Sequence, residues 1–337
     1  MTLVPSAQGG EPLRILMSAQ GAARLHSRIK DVLGSLPHVL VSPGAGEGDI
    51  DADVAFISRD VTGLSTKHEI LPATQRFYDA MLASKSLRWV HIHSAGADRP
   101  IFGLLRQRGV IVTTSSGANA SVVAQTALAG ILALGRQFPL LAEAQREHRW
   151  APLIGTGLPR DLQGQTATII GWGPIGQTIG RILLALGLKL IVIRQSAQSA
   201  TAGAETVTFD AFQTVLPRTD WLILACPLTP ATRSLVDATA LSLLPSSAHL
   251  VNVARGEVVE EDALINALGE GRLAGAYLDV FAHEPLSQAS LLWDMKNVIV
   301  TPHSAGFSDG NGERVTRMFL DNLLRWVHKE TLANISS

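Results

Sequence analysis

The chain alternates short apolar runs with stretches of helical periodicity, and this alternation restricts it to one broad class of fold. The apolar runs are closed by polar or glycine residues, which is typical of strands buried on both faces of a sheet. Strands that alternate with helices form parallel β-α-β units. The predicted strands are 13–18, 38–42, 53–58, 87–93 and 109–114, followed by 166–171, 188–193, 221–226, 249–254, 275–280 and 298–303.

Helical periodicity places four helices around these strands and indicates two halves. We predict helices at 121–138, 176–186, 260–271 and 311–330. The first would join the two halves, and the last is too short to be a domain, so it must pack on an element built earlier. The prediction is an α/β protein of two Rossmann-like, doubly wound parallel-sheet domains with a cleft between them.

Length and composition fit two packed cores. The chain has 337 residues, 46% of them hydrophobic, and single cores stop growing before this length. Its net charge of −1, without a cluster of Lys or Arg, argues against a nucleic-acid partner.

Cys226 is the only cysteine, so no intrachain disulfide can form. Neither a signal peptide nor a membrane-spanning run is evident, so we expect a soluble, cytoplasmic protein with a flexible tail at 1–12.

A glycine-rich turn, GWGPIGQ from Gly171, lies between a predicted strand and a predicted helix. In a dinucleotide-binding turn, the first glycine permits the tight bend and the second lets the backbone approach a pyrophosphate. The third allows close packing of helix on strand, and Gly171, Gly173 and Gly176 fit these three roles. Glycine-rich turns are common in α/β proteins, but both flanks are right here. The segment therefore predicts a dinucleotide site.

The strand after this turn ends at Ile193 and is followed by Arg194, Gln195 and Ser196. An acidic residue at this place accepts hydrogen bonds from the ribose of NAD and repels a 2′-phosphate. A guanidinium instead binds a 2′-phosphate through forked, charge-assisted hydrogen bonds, and Gln195 and Ser196 add neutral donors. The sequence therefore favours NADP(H), with NAD at lower preference. The alternative is a solvated Arg194 and poor selectivity.

Polar residues close three later strands: Arg255, then Asp279 with Glu284, then His303. The carboxyl ends of parallel strands meet at the ligand crevice, so these residues can converge with the glycine turn. Reduction of a 2-keto acid needs a cation for the carboxylate and a proton donor for the carbonyl oxygen, which suit Arg255 and His303. Glu284, if it contacts His303, would favour the protonated imidazole. Each residue alone is usually just solvated, but their joint placement is hard to obtain by accident.

With these motifs in view, the chain resembles the D-2-hydroxyacid dehydrogenase family, specifically its glyoxylate/hydroxypyruvate reductase-like members. The resemblance is strong over about 109–310 and weaker but continuous over 13–108. The matching segments are GWGPIG (171–176), CPLTPATRSLVD (226–237), NVARGEVVEEDAL (252–264), GAYLDVFAHEPL (275–286) and TPHSAG (301–306).

The resemblance implies reduction of a small 2-keto acid to the D-2-hydroxy acid, with Arg255, Glu284 and His303 as catalytic residues. It also implies a substrate-carboxylate loop, HSAGAD, in which Ser94, Ala95 and Gly96 offer backbone N–H groups beside Arg255 and His303. No metal ion is implied. The complete predicted cofactor set is Gly171, Gly173, Pro174, Ile175, Gly176, Arg194, Gln195, Ser196, Cys226, Pro227, Thr232, Val253, Ala254, Arg255, Asp279, His303, Ala305 and Gly306.

The family fold further implies a substrate-binding (catalytic) domain of residues 13–117 plus 307–337 and an NADP-binding Rossmann domain of residues 118–306. Family members are typically homodimers through the cofactor domain, and the apolar helix 121–138 suits such an interface. The chain departs from the family at Gln125, often Glu, and at Glu260, often Asp. Neither position is needed for the chemistry above.

Other functions rank lower. A dinucleotide-sensing, corepressor-like regulator would keep this fold, but the chain retains the full Arg, Glu and His set. Formate oxidation calls for another residue in place of Glu284, and neither formate nor phosphite oxidation accounts for Arg194. A phosphoglycerate-type role is disfavoured by the short sequence after residue 330. Pocket shape sets the preferred keto acid, so glyoxylate and hydroxypyruvate are only the first candidates.

Overall fold

The computed structural model describes residues 11–44, 50–155, 157–196 and 198–336. Residues 1–10 of the predicted tail lie outside these ranges. The chain divides into two compact units, Met1–Asn119 with Ser308–Ser337, and Ala120–Phe307. Among the described residues, no helix is both long enough and apolar enough to cross a membrane.

The strands and helices alternate along most of the chain. The strands are β1 (Leu13–Leu16), β2 (His38–Val41), β3 (Val54–Ile57), β4 (Trp89–Ile92), β5 (Ile111–Thr114), β6 (Thr166–Ile170), β7 (Lys189–Ile193), β8 (Ala204–Val207), β9 (Trp221–Leu224), β10 (His249–Asn252), β11 (Gly275–Leu278) and β12 (Val298–Val300). The helices are α1 (Ala19–Leu33), α2 (Arg59–Thr62), α3 (Pro72–Ala83), α4 (Pro100–Gln107), α5 (Ala120–Gly135), α6 (Phe138–Arg146), α7 (Pro174–Ala185), α8 (Ala238–Leu243), α9 (Glu261–Gly269) and α10 (Asn311–Val327).

The first unit contains a five-stranded sheet in the order β2-β1-β3-β4-β5, and every neighbouring pair is parallel. The C-terminal helix α10 completes its core. Phe319 stacks on Phe56 with ring centroids 4.2 Å apart, and Trp326 stacks on Trp89 at 5.6 Å. The prediction that the last helix packs on an earlier element is confirmed.

The second unit contains a seven-stranded parallel sheet in the order β12-β11-β10-β9-β6-β7-β8. Strands β9 and β11 are buried over their whole length, as expected for strands covered on both faces. The strand order reverses direction at β6, whose neighbours are β9 and β7. In open sheets of this kind, ligands bind at the carboxyl ends of the strands beside such a point.

Each predicted strand is present, and the predicted class of two parallel-sheet α/β domains is confirmed. One helix prediction was wrong in extent. The helix predicted at 121–138 ends at Gly135, and the chain turns through Gln137, which has a left-handed φ of 57°, before α6 begins. Pro139 explains the break, because proline lacks the N–H and clashes with the carbonyl four residues earlier.

Strand β8 was not predicted. It lies at the edge of the second sheet, and its sequence, AETV, lacks the apolar run that marks the other strands. Half-exposed edge strands carry less hydrophobic signal, since only part of their surface is buried.

Candidate active site

The glycine turn after β6 is tightly packed at two positions and open at the third. Gly171 has a φ of 98°, and a Cβ there would lie 2.7 Å from Ala225 O. A Cβ at Gly176 would lie 2.1 Å from Gly171 O, whereas one at Gly173 would meet no atom within 4 Å. Gly173 directly precedes α7, which begins with Pro174. The open side of the turn thus faces the end of a helix where N–H groups and the dipole favour an anion.

Arg194 follows β7 at the same edge of the sheet. Its N–H donates to Val207 O of β8 (3.1 Å), and its side chain is half-buried. Gln195 and Ser196 are exposed. Within the described ranges, the Arg194 guanidinium forms no ion pair. A positive charge therefore stands beside the glycine turn, one strand away from it.

The turn after β9 holds two predicted cofactor contacts in buried positions. Thr232 Oγ1 donates to Pro227 O (2.7 Å) and accepts from the N–H of Thr229 (2.8 Å), so this hydroxyl shapes the turn. Burial raises the pKa of Cys226 to about 11, which keeps the thiol protonated. Pro227 is exposed, and Ile175 of the glycine turn is half-buried.

The turn after β10 presents Arg255. Asn252 folds this turn, because its Nδ2 donates to Arg255 O (3.0 Å) and its Oδ1 accepts from the N–H of Ala254 (3.0 Å). Arg255 Nη1 donates to Ala254 O at 2.7 Å. A Cβ at Gly256 would lie 1.8 Å from the carbonyl carbon of Phe281, so the turn packs directly on the segment after β11. This packing brings the Arg255 turn beside the segment that carries Glu284.

His303 and Glu284 form a hydrogen-bonded pair. His303 Nδ1 lies 2.8 Å from Glu284 Oε2, and Glu284 Oε1 accepts from the N–H of Phe281 at 3.1 Å. The Glu284 side chain is 12% exposed and the His303 side chain 50%. A carboxylate at Nδ1 fixes the orientation of the ring and directs Nε2 away from Glu284. The pair therefore has the geometry of an oriented acid–base group, in which Nε2 of His303 has no hydrogen-bond partner among the described residues.

Asp279 organises the turn that carries His303. Its Oδ1 accepts from Thr301 Oγ1 (2.6 Å) and from the N–H groups of Ser304 (2.8 Å) and Ala305 (3.0 Å). Its backbone oxygen accepts from the N–H of His303 at 2.8 Å. Burial raises the pKa of Asp279, although these hydrogen bonds oppose the shift. Sequence reasoning missed this supporting function, and a cofactor contact by Asp279 stays a prediction.

The sheet order places these groups in a row along one edge. His303 follows β12, Asp279 follows β11, Arg255 follows β10, the glycine turn follows β6 and Arg194 follows β7. Adjacent strands lie about 4.8 Å apart, so the row spans roughly 24 Å. The remaining predicted cofactor contacts are also at this edge: Val253, Ala254 and Ala305 are buried, and Gly306 is half-buried.

The predicted substrate loop lies in the first unit, after β4. Ser94 Oγ donates to Gly96 O (2.8 Å), and Ser94 O accepts from the N–H of Ser115 (3.0 Å). The N–H groups of Ala95 and Gly96 donate to no atom of the described residues, which is compatible with their predicted role as hydrogen-bond donors to a substrate. In the same described ranges, no group of His, Cys, Asp or Glu side chains could hold a metal ion.

Two parallel-sheet α/β domains, the second with a glycine turn where its strand order reverses, are the architecture of a nicotinamide-dinucleotide-dependent oxidoreductase. The family description "D-isomer specific 2-hydroxyacid dehydrogenase, NAD binding domain" matches residues 128–305. The chain belongs to the D-isomer-specific 2-hydroxyacid dehydrogenase family, and the resemblance found in the sequence is confirmed.

Known relatives support the same family. The glyoxylate reductase of Thermococcus gammatolerans is 31% identical to this chain over 296 residues, which cover 85% of this chain and 83% of that protein. A D-isomer specific 2-hydroxyacid dehydrogenase of Xanthobacter autotrophicus, solved with NADPH and MES, is 27% identical with a TM-score of 0.75, and the match covers 97% of this chain and 98% of that one. The NADPH-dependent glyoxylate/hydroxypyruvate reductase of Sinorhizobium meliloti, solved with NADP and sulfate, is 25% identical with a TM-score of 0.75 and the same coverage.

Proposed function

We propose that this chain is an NADP(H)-dependent reductase that converts a small 2-keto acid to the D-2-hydroxy acid, with glyoxylate and hydroxypyruvate as the first candidate substrates. The observation that carries the proposal is the 2.8 Å hydrogen bond between His303 Nδ1 and Glu284 Oε2 at the edge that also bears Arg255. An oriented imidazole and a guanidinium at one sheet edge are the two groups that keto-acid reduction requires.

Each catalytic residue has one task in this proposal. Arg255 binds the substrate carboxylate through charge-assisted hydrogen bonds. A role of Ser94, Ala95 and Gly96 in substrate binding stays a prediction. Glu284 holds the His303 ring at Nδ1, which fixes the orientation of Nε2. Nε2 of His303 then donates its proton to the carbonyl oxygen, and in the oxidation direction the neutral Nε2 accepts the proton from the hydroxyl.

The residues at the sheet edge fit a dinucleotide. The space around Gly173, the N-terminus of α7 and the charge of Arg194 would hold the pyrophosphate and the 2′-phosphate. The nicotinamide supplies a hydride to the substrate carbon when the cofactor is bound. Two relatives were solved with NADPH or NADP, and this supports the preference that Arg194 suggests.

We also propose a cytoplasmic homodimer formed through the cofactor-binding domain, with residues 13–117 and 307–337 as the substrate-binding domain. Leu132 on α5 and Phe138 and Leu140 on α6 support such a contact, because large apolar side chains exposed to solvent are typical of protein interfaces. Light scattering of the purified protein, with and without Phe138→Ser, tests the dimer.

The direct test of the function is the initial rate of NADPH oxidation with glyoxylate, hydroxypyruvate, pyruvate, phenylpyruvate and phenylglyoxylate, repeated with NADH. We expect turnover with NADPH well above that with NADH. The keto acid with the highest rate then indicates the size of the substrate pocket. If no keto acid is turned over although NADPH binds tightly, the proposal of a reductase is wrong and a dinucleotide-sensing regulator is favoured instead.

A further inference from the structure

The connection between β7 and β8 is short and is held at its middle. Parallel strands are usually joined by a dozen or more residues, often through a helix. Here only residues 194–203 join the two strands, and Ala200 uses both of its backbone groups. Its N–H donates to Thr206 Oγ1 (2.9 Å), and its oxygen accepts from Trp172 Nε1 (3.2 Å). We name the described residues of this connection, 194–196 and 198–203, the crossover.

Trp172 lies between the first two glycines of the glycine turn, and its indole covers α7. A Cβ at Gly180 would lie 2.7 Å from Cη2 and 2.8 Å from Cζ3 of this indole. Glycine is unfavourable inside a helix relative to alanine. Gly180 therefore makes the room that the indole needs. Gln177 Nε2 donates to Trp172 O (2.9 Å), which fixes the backbone of the same residue.

One side chain thus connects the two parts of the candidate cofactor site. The glycine turn holds the backbone of Trp172, and the indole N–H reaches the middle of the crossover. Arg194, Gln195 and Ser196 begin that crossover. A crossover without this contact would have to be ordered by the ligand itself, and ordering a loop on binding reduces affinity.

We propose that Trp172 is a positioning residue for recognition of the adenosine 2′-phosphate. By holding Ala200, the indole fixes the crossover against the glycine turn and presents Arg194 to the phosphate in a preorganised position. This inference rests on the proposed use of NADP(H). It assigns cofactor selectivity to a tryptophan and its partner Gly180 in addition to the arginine.

The test measures equilibrium binding of NADP⁺ and NAD⁺ by calorimetry, because the two ligands differ only in the 2′-phosphate. In Trp172→Phe, which keeps a ring and loses the N–H, we expect the Kd for NADP⁺ to rise about five-fold, the equivalent of one hydrogen bond of about 1 kcal/mol. The Kd for NAD⁺ should change less than about two-fold. Gly180→Ala displaces the indole and should give the same selective loss.

A second anchor keeps the test decisive if Trp172→Phe does not fold. Thr206→Val removes the other hydrogen bond of Ala200 and should weaken NADP⁺ selectively, to a smaller extent. Trp293→Phe is the matched control, because Trp293 Nε1 also donates to a backbone oxygen, that of Ser287 (2.9 Å), within the same unit. Its ratio of the two Kd values should equal that of the wild type.

The outcomes separate this inference from the proposed function. If Arg194→Ala leaves the ratio of the two Kd values unchanged, the assignment of Arg194 to the 2′-phosphate is wrong. If Arg194→Ala removes the preference but Trp172→Phe, Gly180→Ala and Thr206→Val all retain it, only the positioning role of Trp172 is overturned. Equal weakening of both ligands in these variants would also overturn it.

Discussion

The two sheets of this protein share parallel topology but place their polar side chains differently. In the second unit, β9 and β11 are buried throughout, and the residues of the candidate site come after the strands. In the first unit, polar residues lie inside β4 and β5. Trp89 Nε1 donates to Thr113 Oγ1 (2.8 Å), and His91 Nδ1 lies 2.8 Å from the same hydroxyl.

These buried groups of the first unit satisfy one another. The Ser115 hydroxyl donates to Ile92 O (2.9 Å), so the neutral His91 ring donates from Nε2 to Ser115 (3.1 Å) and accepts at Nδ1 from Thr113. Burial lowers the pKa of His91 to about 3. Polar residues within the strands therefore hold the first sheet together, whereas those after the strands of the second sheet remain able to meet a ligand.

The largest effect should come from the edge of the second sheet. Replacing His303 by Ala removes the proposed proton donor, and we expect kcat to fall about 10²- to 10⁴-fold. The Kd for NADPH should change little, because the glycine turn and Arg194 are untouched. His148→Ala, at an exposed histidine of the same unit, is the control. Retention of kcat in His303→Ala would remove this residue from the proposed mechanism.

The next effect tests selectivity at the same edge. Arg194→Ala should raise the KM for NADPH about 10- to 100-fold, since hydrogen bonds to charged groups contribute about 1.5–3 kcal/mol. The KM for NADH should stay within about three-fold, because NADH has no 2′-phosphate. Lys189→Ala removes a cation from the other end of the same strand and should leave both KM values unchanged. A parallel rise in both KM values would contradict the assignment.

The same difference between the units explains what the sequence could predict. Every strand of the second unit except β8 was recognisable from its apolar run, and the residues after these strands, such as Arg255 and His303, were evident as candidates. The support of His303 by Asp279 and Thr301 depends on a turn whose hydrogen bonds appear only in three dimensions. The hydrogen bond from Trp172 to Ala200 joins two turns through a side chain, and the spacing of residues along the sequence could not predict it.

A matched pair of substitutions compares the buried polar groups directly. Thr113→Val removes the partner of both Trp89 and His91, and two unsatisfied buried groups should lower the free energy of unfolding by about 2–4 kcal/mol. Thr168→Val, in β6, should cost only about 1 kcal/mol. Its partner Thr219, 2.7 Å away, still donates to Val215 O (2.9 Å). Equal losses in denaturant unfolding would contradict the inference that Thr113 satisfies two buried groups and Thr168 only one.

The last effect is that of pH, and it again separates the two units. His91 has a folded-state pKa of about 3 against an ordinary value of 6.5, so the unfolded chain binds the extra proton between these values. Stability is therefore complete above pH 6.5 and is lost as the pH falls toward 3, by roughly 1 kcal/mol per pH unit. His249 of the second unit stacks on Trp221 with ring centroids 4.4 Å apart, and burial lowers its pKa to about 4. The pH range over which this histidine reduces stability is therefore narrower, from about 6.5 to about 4.

Amide hydrogen exchange at pH 7, 6 and 5 measures this effect in each sheet separately. Between pH 6 and 5 the opening free energy of the β4 and β5 amides should fall in the wild type. It should fall about half as steeply in His91→Gln, because burial also lowers the pKa of His93 to about 3 and this second histidine remains. His249→Gln should flatten the corresponding slope only for β9 and β10. An unchanged slope in His91→Gln would mean that another group, and not the buried histidine, makes the first sheet sensitive to acid.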